Sequence, residues 1–323
     1  MGSRSLLAAT ALPFALLALA PVAGADTDHL ASAQQPGSTA SVAGGGAAVS
    51  LVLPPKDSTL QRGLTRILSE PRYRRLRDER RLSVALVDIT DPDRLTYAGV
   101  EDDRMRYAAS LPKIAILAGV FDQIERGNLE YTPELRFKME RMIRNSDNAI
   151  SSELIRLVGF QNIARTLQDP RHQLYDRRRG GGLWVGRGFG GLGVWRRDPI
   201  GNTSHGATAR QVARFFVMVE RGELVSPWAS AEMKEILADP AIHHKFVLGL
   251  EQARPRSVIY RKSGTWQNYH ADAALVERDG RKYIAVVLLE SPTRSSGGVL
   301  ASLIVRMDDL IFRPTQAVRA TQR

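Results

Sequence analysis

The sequence places a hydroxyl and an amine three residues apart, at Ser110 and Lys113, where an apolar helix is predicted to begin. Residues at this spacing share one helix face, so the Lys113 amine can take the Ser110 proton when that oxygen attacks a carbonyl. A free lysine has a pKa of about 10.4. The chemistry therefore requires burial or a neighbouring cation to lower the Lys113 pKa.

The start of this helix offers a second chemical feature. Its first backbone N–H groups have no partner within the helix and carry the positive end of the helix dipole, so they can bind a developing oxyanion. Pro112 suits the first turn, the run 114–124 is apolar nearly all round, as in buried helices, and Gly127 is the predicted end. A Ser-x-x-Lys pair occurs by chance about once in a chain of this length, so further motifs are needed.

Two polar triplets supply them. Ser146-Asp147-Asn148 lies at a predicted helix junction, and Lys262-Ser263-Gly264 ends a predicted strand. A given triplet of this kind occurs by chance at about one in several thousand positions. All three motifs follow one another with compatible separations, and together they indicate a polar site assembled from distant segments.

The elements predicted around these motifs place strands towards both ends of the chain and helices in the middle. Strands are predicted at 82–89, 95–100, 258–262, 271–277 and 283–289, and helices at 60–76, 114–124, 133–144, 149–158, 161–167, 208–220, 227–237 and 302–312. This order favours an α/β fold class, with an α/β domain at 57–107 and 208–323. A helical domain, 108–207, is inserted between its halves and carries a Gly/Arg-rich loop at 177–202.

The long stretch 170–206 has no predicted regular structure. A loop of that length in a compact domain is usually a functional lid or disordered. Residues 186–191 formally match the dinucleotide pattern G-x-G-x-x-G, but no strand precedes them and no amphipathic helix follows. We therefore predict no nucleotide cofactor.

The beginning of the chain resembles an export signal. Residues 1–25 contain a basic start, an apolar stretch and a small-x-small sequence typical of a cleavage site. Residues 26–56, rich in Ala, Gly, Ser and Gln, are expected to form a mobile leader. The chain of 323 residues has no cysteine, which excludes disulfides, thiolate chemistry and cysteine lipidation. We expect a bacterial periplasmic or secreted protein with no transmembrane segment after cleavage.

The net charge of +11 points to an anionic partner. For an exported protein this is the cell envelope, with weak association, and not a nucleic acid. His205, His243 and His244 lack the spacing of a metal site, so we predict surface or cap histidines and no metal.

Together the motifs resemble those of the penicillin-recognising serine hydrolases, most closely the class A β-lactamase family. The resemblance covers about residues 60–312 and includes the strand pair before the serine, the three motifs in order and the closing helix. It implies an antiparallel sheet flanked by helices, built from both termini, with an inserted all-helical domain. It also implies a small-molecule substrate, either a β-lactam or a cell-wall peptide.

The resemblance further implies a role for each matching residue. Ser110 would be the acylated nucleophile and Lys113 would take part in its deprotonation. Ser146 would pass a proton to the leaving nitrogen. Asn148 would bind the acyl side chain and orient Lys113.

The strand motif would serve the substrate carboxylate. Lys262 would supply positive charge and lower the Lys113 pKa, and Ser263 would add a hydroxyl. The backbone N–H groups of Ser110 and Thr265 would form the oxyanion hole, where loss of one donor typically costs about 2.7–4 kcal/mol.

One expected group is absent. Class A enzymes resemble one another in a glutamate that activates the deacylating water, but this chain has no glutamate between Glu153 and Glu220. Asp198, in Asp-Pro-Ile-Gly-Asn, is the first candidate to replace it, and Asp176 is a weaker one. The alternative for Asp198 is a turn residue before proline.

Three functions follow. The leading hypothesis is β-lactam hydrolysis through Ser110. The second is a peptidase or esterase acting on cell-wall peptides or small esters. The third is a penicillin-binding protein that is acylated but releases the acyl group inefficiently, because the glutamate is missing.

Overall fold

The computed structural model describes residues 51–293 and 297–313. The predicted export signal and the leader up to residue 50 lie outside the described residues. The last part of the predicted leader is packed: Leu53 is buried in the core, and the Lys56 amine lies 2.7 Å from the Asp102 carboxylate. Packed structure therefore begins before the predicted boundary at residue 56, because one apolar side chain and one ion pair hold this segment.

The described part of the chain contains ten α-helices. They are α1 (Ser58–Leu68), α2 (Pro71–Asp78), α3 (Lys113–Glu125), α4 (Pro133–Arg144), α5 (Asn148–Val158), α6 (Phe160–Gln168), α7 (Ala209–Glu220), α8 (Pro227–Leu237), α9 (Phe246–Ala253) and α10 (Gly297–Ile311). A 3₁₀ turn spans Arg177–Arg179. Within the described ranges, no helix has the length and apolar character needed to cross a membrane.

The strands form one large and two small sheets. They are β1 (Leu82–Asp88), β2 (Thr96–Val100), β3 (Arg106–Tyr107), β4 (Tyr175–Asp176), β5 (Gly181–Gly182), β6 (Trp184–Val185), β7 (His205–Ala207), β8 (Val258–Trp266), β9 (Tyr269–Arg278) and β10 (Arg281–Glu290). The large sheet is antiparallel, in the order β2-β1-β10-β9-β8. The small sheets have the order β3-β7-β6 and the pair β4-β5.

The large sheet confirms the predicted fold class. β1 pairs with β10 in a register that runs from Leu82 opposite Leu289 to Asp88 opposite Tyr283, so the sheet joins both ends of the described chain. Alternate side chains of β1 enter different cores, since successive residues of a strand point to opposite faces. Val84 packs with α1, α9 and α10, and Ala85 packs with α3 and the other central helices.

The predicted helix 60–76 is two helices. Pro71 occupies the first position of α2, where its missing N–H costs nothing, and it ends the run of α1 at Leu68. The helix predicted from residue 114 is buried on all sides, as expected, because every residue of α3 from Lys113 to Gln123 is buried.

The stretch 170–206 is packed against the rest of the fold, so the expectation that it is disordered is wrong. Its ring stack joins Phe160 of α6 to Trp195, at 5.6 Å between centroids, and continues to Trp184 at 5.8 Å and Tyr175 at 4.8 Å. Aromatic pairs at such distances contribute about 0.5–1.5 kcal/mol each beyond their burial. The rings meet only in the folded chain, so local sequence patterns could not reveal them.

Candidate active site

Ser110 lies in the turn that leads into α3. The Lys113 N–H donates to the Ser110 carbonyl at 3.2 Å, and Ala109 has a positive φ of 51°, a conformation that is uncommon for residues other than glycine. Gly264 of β8 packs directly on this turn: a Cβ added there would lie 2.3 Å from the Ala108 carbonyl oxygen and 2.8 Å from the Ser110 nitrogen. Only glycine permits this approach, which brings the strand motif to the serine.

The Lys113 amine is fully buried. It donates to the Ser146 carbonyl at 2.5 Å, to Asn148 Oδ1 at 2.8 Å, and to Ser146 Oγ and the Asp147 carbonyl at 3.3 Å each. Across the described residues, none of its hydrogen bonds reaches the Ser110 oxygen. The Ser146-Asp147-Asn148 motif thus holds the Lys113 amine, and Ser110 is not among its described hydrogen-bond partners.

Burial lowers the pKa of Lys113 to about 7, against the charge of Asp147, which acts to raise it. The lysine can therefore be neutral near neutral pH, as its proposed role requires. The cause differs from the one implied by the resemblance. Burial, and not Lys262, dominates the shift of Lys113, whereas burial and then the Lys113 charge lower the Lys262 pKa well below its ordinary value.

The Ser146 hydroxyl lies between the two lysines. The Lys262 amine donates to Ser146 Oγ at 3.0 Å and the Lys113 amine reaches the same oxygen at 3.3 Å. The Lys262 amine also donates to the Ser263 carbonyl at 2.7 Å. One hydroxyl in contact with two amines of lowered pKa is well suited to pass a proton.

Asn148 is more than a helix cap. Asp147 is the N-cap of α5, and its side chain accepts the Ile150 N–H at 3.0 Å. Asn148 Oδ1 is thereby free to accept from Lys113. Asn148 therefore orients the Lys113 amine, while Asp147 caps α5.

The two predicted oxyanion donors lie on the serine turn and on a sheet edge. Among the described contacts, the Ser110 N–H forms no hydrogen bond. Thr265 follows Gly264 on β8, the edge strand of the large sheet, and an edge strand leaves part of its N–H groups unpaired. This arrangement can accommodate an anionic oxygen between strand and turn.

Two residues that our reading of the sequence missed lie behind the strand motif. Lys245 is buried and donates to Thr265 Oγ1 at 2.8 Å and to the Gly264 carbonyl at 2.7 Å; burial lowers its pKa to about 8. His244 Nε2 lies 3.3 Å from Ser263 Oγ, and burial followed by neighbouring cations lowers its pKa to about 4. His244 is half-buried beside Ser263, while His243 is exposed.

Phe189 occupies the wall of the site nearest Lys113. Its ring centre lies 4.7 Å from the Lys113 amine. The Phe189 N–H donates to Ser152 Oγ at 3.0 Å, and that hydroxyl donates back to the Phe189 carbonyl. Two backbone contacts to α5 thus fix an apolar ring beside the catalytic lysine candidate.

His205 is also buried, contrary to its predicted surface or cap position. Its Nε2 lies 2.9 Å from the Arg187 carbonyl, and its ring packs 4.3 Å from Phe189. Burial, followed by the charges of Lys113 and Arg187, lowers its pKa to about 4. A neutral His205 therefore tethers the glycine-rich segment to β7.

Asp198 does not fit the role of a base. It is buried, its Oδ1 accepts the Tyr175 hydroxyl at 2.5 Å, and its Oδ2 accepts the Gly201 N–H. It does not line the cleft at Ser110. Asp176 instead caps the short 3₁₀ turn by accepting the Arg178 N–H at 2.9 Å. Both aspartates organise the loop, as turn residues commonly do.

The cleft at Ser110 has a volume of about 610 Å³. Its walls come from the serine turn, α5, the glycine-rich segment and the end of β8, and include Ser110, Asn148, Phe189, Gly190, His205, Thr265 and Trp266. No aspartate or glutamate belongs to its described lining. In the described part of the chain, no cluster of histidines and carboxylates is placed to hold a metal.

Comparisons with known proteins give a family match and structural neighbours. A model of the β-lactamase enzyme family matches residues 131–307. No curated protein matches the chain.

Three solved structures are similar in fold. PBP-A, solved as a mutant in an acyl-enzyme complex with penicillin G, has a TM-score of 0.57 at 19% identity, over 83% of this chain and 100% of that one. A β-lactamase from Sphaerobacter thermophilus has a TM-score of 0.57 at 16% identity, over 81% and 97%. A β-lactamase from Xanthomonas campestris has a TM-score of 0.60 at 15% identity, over 78% and 97%.

Proposed function

The chain belongs to the β-lactamase enzyme family, and from this premise we propose that it is a serine hydrolase that β-lactams acylate at Ser110. The observation that carries the proposal is the buried Lys113 amine, whose pKa burial lowers to about 7 and whose hydrogen bonds run to Ser146 and Asn148. Family membership establishes a β-lactamase-like hydrolase; the serine mechanism and the β-lactam substrate are our proposal.

In the acylation step, Ser110 Oγ attacks the lactam carbonyl and Lys113 takes its proton. The new oxyanion is bound by the N–H groups of Ser110 and Thr265. The carbon–nitrogen bond of the ring then breaks, and the proton passes from Lys113 through Ser146 to the leaving nitrogen. The contact of Lys113 with Ser110 forms in the complex, since catalytic hydrogen bonds commonly tighten on substrate binding.

The strand motif would hold the substrate carboxylate. Ser263 and Thr265 offer hydroxyls, and buried Lys245 and Lys262 lie behind them. Burial lowers the pKa of Lys245 only to about 8, so this amine keeps a positive charge near pH 7 and favours an anion even when Lys262 is neutral. Substrate binding would in turn favour protonation of both.

Release of the acyl group would be slow. Hydrolysis of the ester requires a base that activates water, and the Phe189 ring stands beside Lys113 where no carboxylate lines the cleft. This favours the third of the sequence hypotheses, a penicillin-binding protein with inefficient turnover, over a fast β-lactamase. A cell-wall peptide or ester as the acyl donor would use the same residues.

The deciding experiment measures adduct and turnover together. The purified chain and its Ser110→Ala variant are incubated with benzylpenicillin for intact-mass analysis, and with a chromogenic cephalosporin for turnover. With benzylpenicillin we expect one adduct per molecule of the chain that retains Ser110. With the cephalosporin we expect a burst of hydrolysis followed by a slow steady state. Ser110→Ala should show no adduct and no hydrolysis. Absence of an adduct on the unmodified chain would refute β-lactam acylation.

We also propose export and weak envelope association. The support is the signal-like start of the sequence and its net charge of +11. Mass spectrometry of the N-terminus from a periplasmic fraction would reveal cleavage near residue 25; an intact N-terminus in the cytoplasmic fraction would contradict it.

A further inference from the structure

The cleft at Ser110 lies between Asn148, the glycine-rich segment and the end of β8. Asn148, the glycine-rich segment and Tyr107 line it, whereas Lys262 and Ser263 do not. Thr265 at the end of β8 also lines it, so the cleft reaches from the strand motif past Ser110 to Asn148. The resemblance implies that Asn148 binds the acyl side chain, so this space would receive the acyl portion of a substrate.

Two arginines, Arg187 and Arg197, line this cleft, and Arg187 belongs to the same glycine-rich segment as Phe189 and Gly190. Both side chains are exposed to solvent in the cleft. In the described residues neither forms an ion pair. Arg197 donates to the Asn202 carbonyl at 3.1 Å, which leaves its charge uncompensated.

The Arg187 charge acts within the cleft. Burial raises the pKa of Tyr107, and Arg187 opposes that rise; the same charge contributes to lowering the His205 pKa. Tyr107 and His205 both line the cleft. The Arg187 backbone is fixed beside one of these wall residues, because His205 Nε2 lies 2.9 Å from the Arg187 carbonyl.

Two other arginines of the stretch 170–206 form ion pairs with neighbouring aspartates. Arg179 lies 3.6 Å from Asp176, and Arg171 lies 2.8 Å from Asp169. The cleft lining has no acidic side chain, so its two cations have no protein partner of opposite charge. Guanidinium groups bind carboxylates with paired N–H donors.

We propose that Arg187 and Arg197 form an anion subsite that selects substrates carrying a carboxylate on the acyl side, such as an acidic peptide or a β-lactam with an acidic side chain. The inference rests on the proposed acylation of Ser110 and adds the substrate class. The carboxylate at the strand motif and this second carboxylate would lie on opposite sides of the scissile bond.

Three penicillins test the inference because they differ at one carbon of the acyl side chain. Benzylpenicillin has a hydrogen there, carbenicillin a carboxylate and ampicillin an ammonium. The second-order rate of Ser110 acylation is measured for each by intact mass. We expect carbenicillin to react about fivefold faster than benzylpenicillin, and ampicillin slower, since two exposed ion pairs each contribute modestly. The preference should shrink as salt rises.

The variants separate the subsite from general charge. In Arg187→Gln/Arg197→Gln the carbenicillin to benzylpenicillin ratio should fall to about one. Arg196→Gln removes the same charge from the same segment, but Arg196 is exposed and does not line the cleft, so its ratio should match the unmodified chain. Thermal unfolding checks that the double variant is folded.

The outcomes are distinct. Benzylpenicillin adducts with no preference for carbenicillin would overturn the anion subsite while leaving the proposed acylation intact. Equal loss of the ratio in Arg196→Gln would also overturn it, because the effect would then be that of net charge. No adduct with any of the three penicillins would overturn the proposed function and this inference with it.

Discussion

The Lys113 amine lies 4.7 Å from the centre of the Phe189 ring. An aromatic face attracts a cation, but a phenyl ring can neither accept a proton nor orient a water through a carboxylate. The contact therefore places a base for acylation next to a wall that offers none for release. The site thus has a base for acylation, Lys113, and, among the described residues, no base for deacylation beside it.

Acylation should depend on pH through Lys113. The lysine acts when neutral, and burial lowers its pKa from 10.5 to about 7, so the second-order acylation rate should fall about tenfold per pH unit below 7 and level off above about pH 8. Intact-mass kinetics with benzylpenicillin from pH 5 to 10 measures this. A rate that keeps rising to pH 10 would mean that the lysine has an ordinary pKa.

The same shift predicts the sign of a stability change. The unfolded chain binds the Lys113 proton more readily than the folded chain between the two pKa values of 10.5 and about 7. The contribution of Lys113 to the free energy of unfolding therefore decreases as the pH is lowered from about 10.5 to about 7. Lys113→Met should remove this contribution, which urea unfolding at pH 7 and pH 9.5 would reveal as a smaller pH dependence.

Phe189→Glu should speed the release of the acyl group. The new carboxylate would stand beside Lys113 and could activate water, and a positioned base typically contributes about 10²–10⁴-fold. We expect steady-state hydrolysis of a chromogenic cephalosporin to rise at least about tenfold. Phe189→Gln has the same size without the base; if it raises turnover equally, opening of the wall and not base catalysis is responsible.

Asp198→Asn should affect stability and not deacylation. The amide has to direct N–H groups at the Tyr175 hydroxyl or the Gly201 N–H, and a lost buried hydrogen bond costs about 1–3 kcal/mol. Urea unfolding measures the loss, and decay of the benzylpenicillin adduct measures release. Slower decay at unchanged acylation would restore Asp198 as the base.

Gly264→Ala should disable the serine turn. The added methyl would lie 2.3 Å from the Ala108 carbonyl oxygen, so strand and turn must separate, at a cost of about 1–3 kcal/mol. We expect a lower unfolding temperature and strongly slowed acylation. Gly193→Ala is the matched control, because no heavy atom lies within 4 Å of its added Cβ; equal effects of both substitutions would rule out the contact as the cause.

Local patterns predicted the parts of this protein that depend on neighbours in the chain. The apolar run after Lys113 specified a buried helix, and the short, largely apolar runs at β1 and β10 specified sheet strands. The three polar motifs identified residues that the folded chain brings together at Ser146. Each of these signals can be read within a window of about ten residues.

The features that were missed depend on distant partners. Phe189 reaches Lys113 only because Ser152 holds its backbone, and Lys245 is a site residue only because α9 begins against β8. Asp198 looked like a base beside a proline, yet its two oxygens are occupied by Tyr175 and Gly201. Residue type indicates what a group can do, and tertiary contact decides whether it is free to do it.

Because β1 pairs with β10, the large sheet cannot be completed while the ribosome is still making the chain. Until β10 has been synthesised, β1 can pair only with β2 and keeps an unpaired edge, the kind of surface that promotes aggregation. Such distant pairing also slows folding. Translation therefore leaves an interval, about 190 residues long in sequence, in which one edge of β1 has no partner strand.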